Sequence, residues 1–206
     1  MKTDFSLSNP VIRETYGHDL YEYLLVAYPD HAVNEKVTAE RKIFTGEYME
    51  RITSETQPHI TIANFLAKES MEETLIRWIQ RICSQQQSFV VTLNNYSGFP
   101  PDTIYLRIQN DQPFQKLARE LKVLNTYVNS CSCPPIKIIS KPYLSIAGKI
   151  PENVYFRALT QYAHKSFHES FLVSELQLLK RRHQYDSCKR INVFGLQPGE
   201  KELLTN

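Results

Sequence analysis

The sequence predicts an α+β fold of two pseudo-symmetric β-α-β-β lobes whose antiparallel sheets face a central cleft. Three observations predict it. Apolar positions alternate along the chain between a period near two and a period near 3.6. A hexapeptide beginning at Pro58 recurs in kind at Pro142, and each copy is followed by a helix and a return strand at nearly the same interval. At 206 residues, 42% of them hydrophobic and 22% charged, the chain is long enough for one core shared by two lobes. The expectation is a single domain over 1–206, with an N-terminal lobe at about 21–128 and a C-terminal lobe at about 136–196.

Tyr23-Leu24-Leu25-Val26-Ala27-Tyr28 is a short apolar run stopped by Pro29 and Asp30, the pattern of a strand buried on both faces. Val33, Val37, Phe44 and Tyr48 then fall at helical intervals among Glu35, Lys36, Glu40, Arg41 and Lys42, which predicts an amphipathic helix. His59-Ile60-Thr61-Ile62-Ala63-Asn64-Phe65 alternates as a half-buried strand does, placing His59, Thr61 and Ala63 on one face. Met71, Leu75, Trp78, Ile79 and Ile82 form a helical stripe, and Phe89 to Leu93 is a strand. The cluster Ser97 to Asp102 is a turn before a strand at Thr103 to Ile108. Phe114, Leu117, Ala118, Leu121, Leu124 and Val128 share the next helix face, which ends before a linker at Ser130 to Pro135.

The second half repeats the order. Tyr143 to Ala147 is a strand, Tyr155, Leu159, Tyr162 and Ala163 are a helical stripe, a strand opens at Phe171 and runs towards Lys180, and Ile191 to Leu196 is the last. His59 and Phe89 are 30 positions apart, Tyr143 and Phe171 are 28 apart. Pro58-His59-Ile60-Thr61-Ile62-Ala63 and Pro142-Tyr143-Leu144-Ser145-Ile146-Ala147 share the order Pro, ring, apolar, hydroxyl, Ile, Ala. Such a duplication brings two equivalent strands to opposite walls of one groove, a geometry suited to in-line displacement at phosphorus. An imidazole, with an ordinary pKa near 6.5, suits proton transfer, and a hydroxyl two residues along the same strand can bond a phosphoryl oxygen.

With the motif at Pro58 to Ala63, an early buried strand and a matching motif in the second half, the chain resembles the two-histidine (2H) phosphoesterases. The similarity is to the bacterial branch of RNA 2′–5′ ligase-like and 2′,3′-cyclic phosphodiesterase proteins, and it covers roughly Tyr21 to Leu196. A lone His-x-Thr is a weak signal, whereas a pair inside a duplicated pattern is a strong one. The resemblance implies a metal-free, cofactor-free site in which one His activates the attacking water or hydroxyl and the other protonates the leaving oxygen. His59 and Thr61 carry over directly, and Ser145 carries over as a phosphate contact. The second histidine position holds Tyr143, whose hydroxyl, with an ordinary pKa near 10, can donate a proton but is a poor base near neutrality. His164, His168 and His183 lie off that strand. An active cyclic phosphodiesterase or RNA ligase-like enzyme and a catalytically impaired module that binds RNA or nucleotide both remain open. A carrier for an unrelated small molecule in the same groove is a third alternative.

Further candidates for substrate contact are Tyr28 and Phe65, as stacking rings, and Arg107 and Lys141, as cations. The run Lys180-Arg181-Arg182-His183 could steer a phosphate backbone, though such runs more often form a solvated strand end. The implied partner is an RNA end or small nucleotide carrying a 2′,3′-cyclic or 2′–5′ phosphodiester, and the chain is expected to act as a monomer. Lys plus Arg number 24 against 22 Asp plus Glu, so a net charge of +2 makes no global case for coating nucleic acid and any anion site is local. Cys131 and Cys133 have no second pair at zinc-site spacing, and with Cys83 and Cys188 are expected as free thiols of a cytoplasmic protein. No apolar run has bilayer length and no secretory leader is evident, so no membrane role is expected.

Overall fold

The apolar stripes read from the sequence become the buried faces of four helices and nine strands in a computed structural model that describes residues 19–48, 56–182 and 186–199. In chain order these are β1 (Leu20–Ala27), α1 (His31–Tyr48), β2 (Ile60–Lys68), α2 (Glu72–Cys83), β3 (Phe89–Phe99) and β4 (Thr103–Ile108). They continue as α3 (Gln112–Ser130), β5 (Lys137–Ile138), β6 (Tyr143–Ala147), α4 (Glu152–Tyr162), β7 (His168–Val173), β8 (Glu175–Arg181) and β9 (Lys189–Gly195). His183 of the basic run lies outside the described residues.

Local chemistry sets the boundaries. Asp30 Oδ1 accepts the Val33 amide at 2.9 Å, capping the first turn of α1. Pro113 sits in the first turn of α3, where its missing N–H costs nothing. Leu75, Ile79 and Ile82 on α2 and Leu117, Leu121 and Leu124 on α3 are buried in one continuous core. A side chain at Gly98 of β3 would collide with the Tyr155 hydroxyl, so this glycine lets α4 lie directly on the strand.

The strands form one antiparallel sheet in the order β7-β3-β4-β6-β2-β1-β8-β9, with β5 added to β2. Its two halves join where β2 meets β6, through the single pair Ile60–Leu144. The lobes expected as contiguous stretches, 21–128 and 136–196, are interleaved instead. The β3–β4 hairpin pairs with β6 and β7, and β8 and β9 return to β1. The expected single strand from Phe171 towards Lys180 therefore divides at Ser174, since residues before it pair with β3 and residues after it with β1. Helices cross as well: α1, which follows β1, packs on β6 and β7, and α3, which follows β4, packs on β2 and β5. Helices cover one face of each half, and the opposite faces form the cleft.

Candidate functional site

Both motif strands carry the same irregularity. Along β2, Ala63 stands opposite Leu25 but Thr61 stands opposite Val26, leaving Ile62 as an extra residue. Along β6, Ala147 stands opposite Ile104 but Ser145 stands opposite Tyr105, leaving Ile146 extra. Each is a β-bulge one residue beyond the motif hydroxyl, and a bulge inverts which face the following residues occupy. The expected sharing of a face by His59, Thr61 and Ala63 is thereby corrected: His59 and Thr61 turn to the cleft, while Ala63, 1% exposed, turns to the core with Leu25. Ring contacts agree. Tyr23 stacks on Phe65 with centroids 5.4 Å apart, and Tyr28 meets His59 edge-on at 6.0 Å. Tyr23 and Tyr28 lie on opposite faces of β1, so Phe65 and His59 must lie on opposite faces of β2.

Because Ile60 pairs antiparallel with Leu144, His59 comes beside Ser145 and Thr61 beside Tyr143. The imidazole and phenol sit on one diagonal of a four-cornered site and the two hydroxyls on the other. All four are half-buried, whereas Ile60 and Leu144 beneath them are fully buried.

His59 Nδ1 lies 2.8 Å from the carbonyl oxygen of Gln57. A carbonyl only accepts, so Nδ1 carries the proton and the neutral ring presents an unprotonated Nε2. Burial pushes the imidazole below its ordinary 6.5, against the Gln57 bond that raises it, and the cations Arg41 and Arg181 push it lower still. Tyr143 is shifted the other way: burial first, then Asp102 and Tyr105, raise its hydroxyl above 10.0. At neutral pH the diagonal therefore holds a neutral base and a protonated phenol. The Tyr143 ring lies 5.0 Å from both Tyr105 and Phe99, which stack on each other at 4.3 Å.

The remaining sequence candidates divide. Tyr28 stands against His59 and lines a recess of about 600 Å³ with Gln57, Gln177, Cys188 and Arg190. Arg107 is opposite Tyr143 across β4 and β6, with Nε donating to the Asn94 carbonyl at 3.2 Å. Lys141 is exposed just ahead of β6. Phe65 is excluded as a substrate contact: it is 3% exposed and stacked on Tyr23 in the core, because the bulge at Ile62 puts it on the face away from the cleft. Of the basic run, Lys180 is held by Glu69 and Glu72 at 2.5 and 2.7 Å, and Arg181 by Glu22 at 2.6 Å, so these two are tied to acidic partners within the fold.

One residue at the site was not singled out from sequence. Arg41 Nε and Nη2 donate to the Ser145 carbonyl at 3.0 and 2.7 Å, and Nη1 donates to the Thr56 carbonyl at 2.7 Å. Its signal lies in the helical stripe, since position 41 is four beyond Val37 and three before Phe44, on the buried side of α1. Burial pulls its guanidinium down to about 10.

The comparisons with known proteins bear on the fold and the family. The crystal structure of LigT from E. coli in complex with 3′-AMP superposes with a TM-score of 0.62 at 16% identity, covering 86% of this chain and 98% of that one. The protein TT0787 of Thermus thermophilus superposes with a TM-score of 0.66 at 13% identity, covering 87% of this chain and 100% of that one. A structure described as a phosphoesterase gives 0.62 at 15%, over 85% and 98% of the two chains. At these identities the likeness is one of fold, the LigT-like 2H phosphoesterase fold. Comparison with curated proteins gives no match. The family profile of the 2′-5′ RNA ligase superfamily matches residues 28–184, most of the chain and both motif strands, and the protein therefore belongs to that superfamily, among the 2H phosphoesterases.

Proposed function

We propose that the cleft binds and cleaves 2′,3′-cyclic or 2′–5′ phosphodiesters of nucleotides or RNA ends. The carrying observation is the antiparallel meeting of two bulged motif strands at Ile60–Leu144, which surrounds one point with His59, Tyr143, Thr61 and Ser145. A phosphoryl group at that point has its non-bridging oxygens within the span of the Thr61 and Ser145 hydroxyls. His59 Nε2 takes the proton of the attacking water as its oxygen bonds to phosphorus. The bond from phosphorus to the leaving ribose oxygen breaks, and that oxygen takes the Tyr143 proton. Solvent then returns a proton to the phenolate and removes one from the imidazolium. A cytoplasmic protein is part of the same reading, supported by Cys83, Cys131, Cys133 and Cys188 standing as free thiols, the state a reducing compartment maintains.

A second reading, binding without turnover, is favoured by one observation. Burial raises the Tyr143 hydroxyl, and a phenol held above its ordinary value is a weaker acid than the imidazolium it replaces. Hydrolysis of 2′,3′-cyclic nucleotides and short 2′–5′ linked oligonucleotides, without added metal, separates the two. Cleavage by the natural protein that His59→Ala abolishes establishes the enzyme. An inert natural protein, with cleavage appearing in Tyr143→His, establishes a cleft whose proton-transfer pair is broken.

A further inference from the structure

Resting on the phosphodiester reading of the cleft, we propose that Arg41 is a positioning residue: a brace that fixes the spacing between the His59 wall and the Ser145 wall of the site. Arg41 belongs to α1, which leaves β1 in one half of the sheet and packs on β6 in the other. Its guanidinium binds the Ser145 carbonyl through two N–H groups and the Thr56 carbonyl through a third. Ser145 is the last residue of the second motif before its bulge, and Thr56 lies three residues ahead of His59.

The brace matters because the two motif strands share little backbone pairing where they meet. β2 and β6 share one residue pair, Ile60–Leu144, whereas every other pair of long neighbouring strands zips along most of its length. A single pair is a hinge line, about which His59 and Ser145 could splay by more than the few tenths of an ångström that a phosphate clasp tolerates. A planar guanidinium with three bonds on two carbonyls resists that opening. An ammonium, a single point charge on a flexible stem, cannot reproduce the fork.

Arg41 also acts on His59 through space. Among the described residues, Tyr28 at the end of β1, the Gln57 carbonyl ahead of β2 and Ser145 from β6 stand beside the imidazole, and the cations that act on it are Arg41 from α1 and Arg181 from β8. Both arginines disfavour the imidazolium, but Arg181 is paired with the buried Glu22 while Arg41 is held by neutral carbonyls. Arg41 is thus the cation whose removal His59 should register.

The test uses the full chain and two variants, Arg41→Gln and Arg41→Lys, read by NMR titration of the His59 ring and by binding of 2′-AMP. Arg41→Gln is expected to raise the His59 pKa and weaken 2′-AMP at least tenfold. Arg41→Lys is expected to keep the His59 titration near that of the natural protein, because the charge stays, while still weakening 2′-AMP, because the fork is lost. A merely structural arginine would lower the melting temperature of both variants without separating the two readouts. Natural 2′-AMP affinity in a folded Arg41→Gln or Arg41→Lys protein overturns the brace, as does an unmoved His59 titration in Arg41→Gln. Failure of the phosphodiester reading looks different: the natural protein itself fails to bind 2′-AMP, and the His59 titration alone then decides whether Arg41 stands where the proposal needs it.

Discussion

A histidine whose Nδ1 proton is committed to a carbonyl and whose cationic form is disfavoured by burial has one free task, to accept a proton at Nε2. Its titration should appear in two measurements. Turnover should fall on the acid side with a midpoint below 6.5, because the neutral imidazole persists below its ordinary range. Stability carries the same sign. The unfolded chain protonates His59 near 6.5 while the folded chain does so only at lower pH, so the unfolded state binds more protons in between. The contribution is present above 6.5 and is lost as pH falls from there through the folded value. Thermal melts at pH 7.5 and 5.5, about one unit either side of that ordinary pKa, should show a smaller acid loss for His59→Gln than for the natural protein. The hydroxyl diagonal is tested by Thr61→Ala and Ser145→Ala. Each removes a hydrogen bond to a charged group, of about 1.5–3 kcal/mol, and should weaken 2′-AMP by roughly tenfold to a hundredfold. Equal affinity in either variant would place the phosphate elsewhere.

At the scale of the element, Gly98 joins β3 to α4. Gly98→Ala drives a methyl group into the Tyr155 hydroxyl and against Leu159 Cδ1 at 3.0 Å, and Tyr155 is fully buried with no room to withdraw. Overpacking of this kind costs about 1–3 kcal/mol. It should lower the urea midpoint without changing the slope of the transition; an unshifted midpoint would mean that α4 slides freely over β3. Elements were the most legible feature of the sequence, because a stripe such as Phe114, Leu117, Leu121, Leu124 and Val128 permits only a helix of one orientation. The paired motifs were legible for the same reason, through the matched order of side chains at Pro58 and Pro142. The bulges were not. Ile62 and Ile146 are extra only relative to partner strands, and period-two alternation within one strand cannot reveal a count of the strand opposite. That single missing fact put Ala63 on the wrong face and left Phe65 as a candidate contact. Arg41 was hidden differently, by a residue type that ordinarily marks the solvated side of a helix.

For the molecule as a whole, sequence order and spatial order part company. The sheet half that carries His59 is completed by β8 and β9 from the far end of the chain, and the half that carries Ser145 is completed by β3 and β4 from its middle. Long-range strand pairing is set by edge complementarity that no local pattern encodes, which is why contiguous lobes were expected. The interleaving has a thermodynamic consequence. Neither half can unfold alone, because removing β8 and β9 strips β1 of a neighbour and pulls on β7 through Ser174, while loosening α1 withdraws a helix from the opposite half. Two halves so linked should melt as one unit despite the narrow seam at Ile60–Leu144. The single tryptophan, Trp78, sits on α2 and reports the half that contains β9. The double variant Trp78→Phe, Phe156→Trp moves the probe to α4 in the other half, at a position that is 53% exposed and so tolerates the larger ring. Urea unfolding of the two proteins, followed by tryptophan fluorescence and by far-ultraviolet circular dichroism, should give coincident fluorescence and dichroism curves within each protein. A fluorescence midpoint that departs from the dichroism midpoint in either one would show that the halves open separately. The alignment of the four site residues across the seam would then depend on its local contacts, the Ile60–Leu144 pair and the Arg41 bonds, and not on the crossing of the chain.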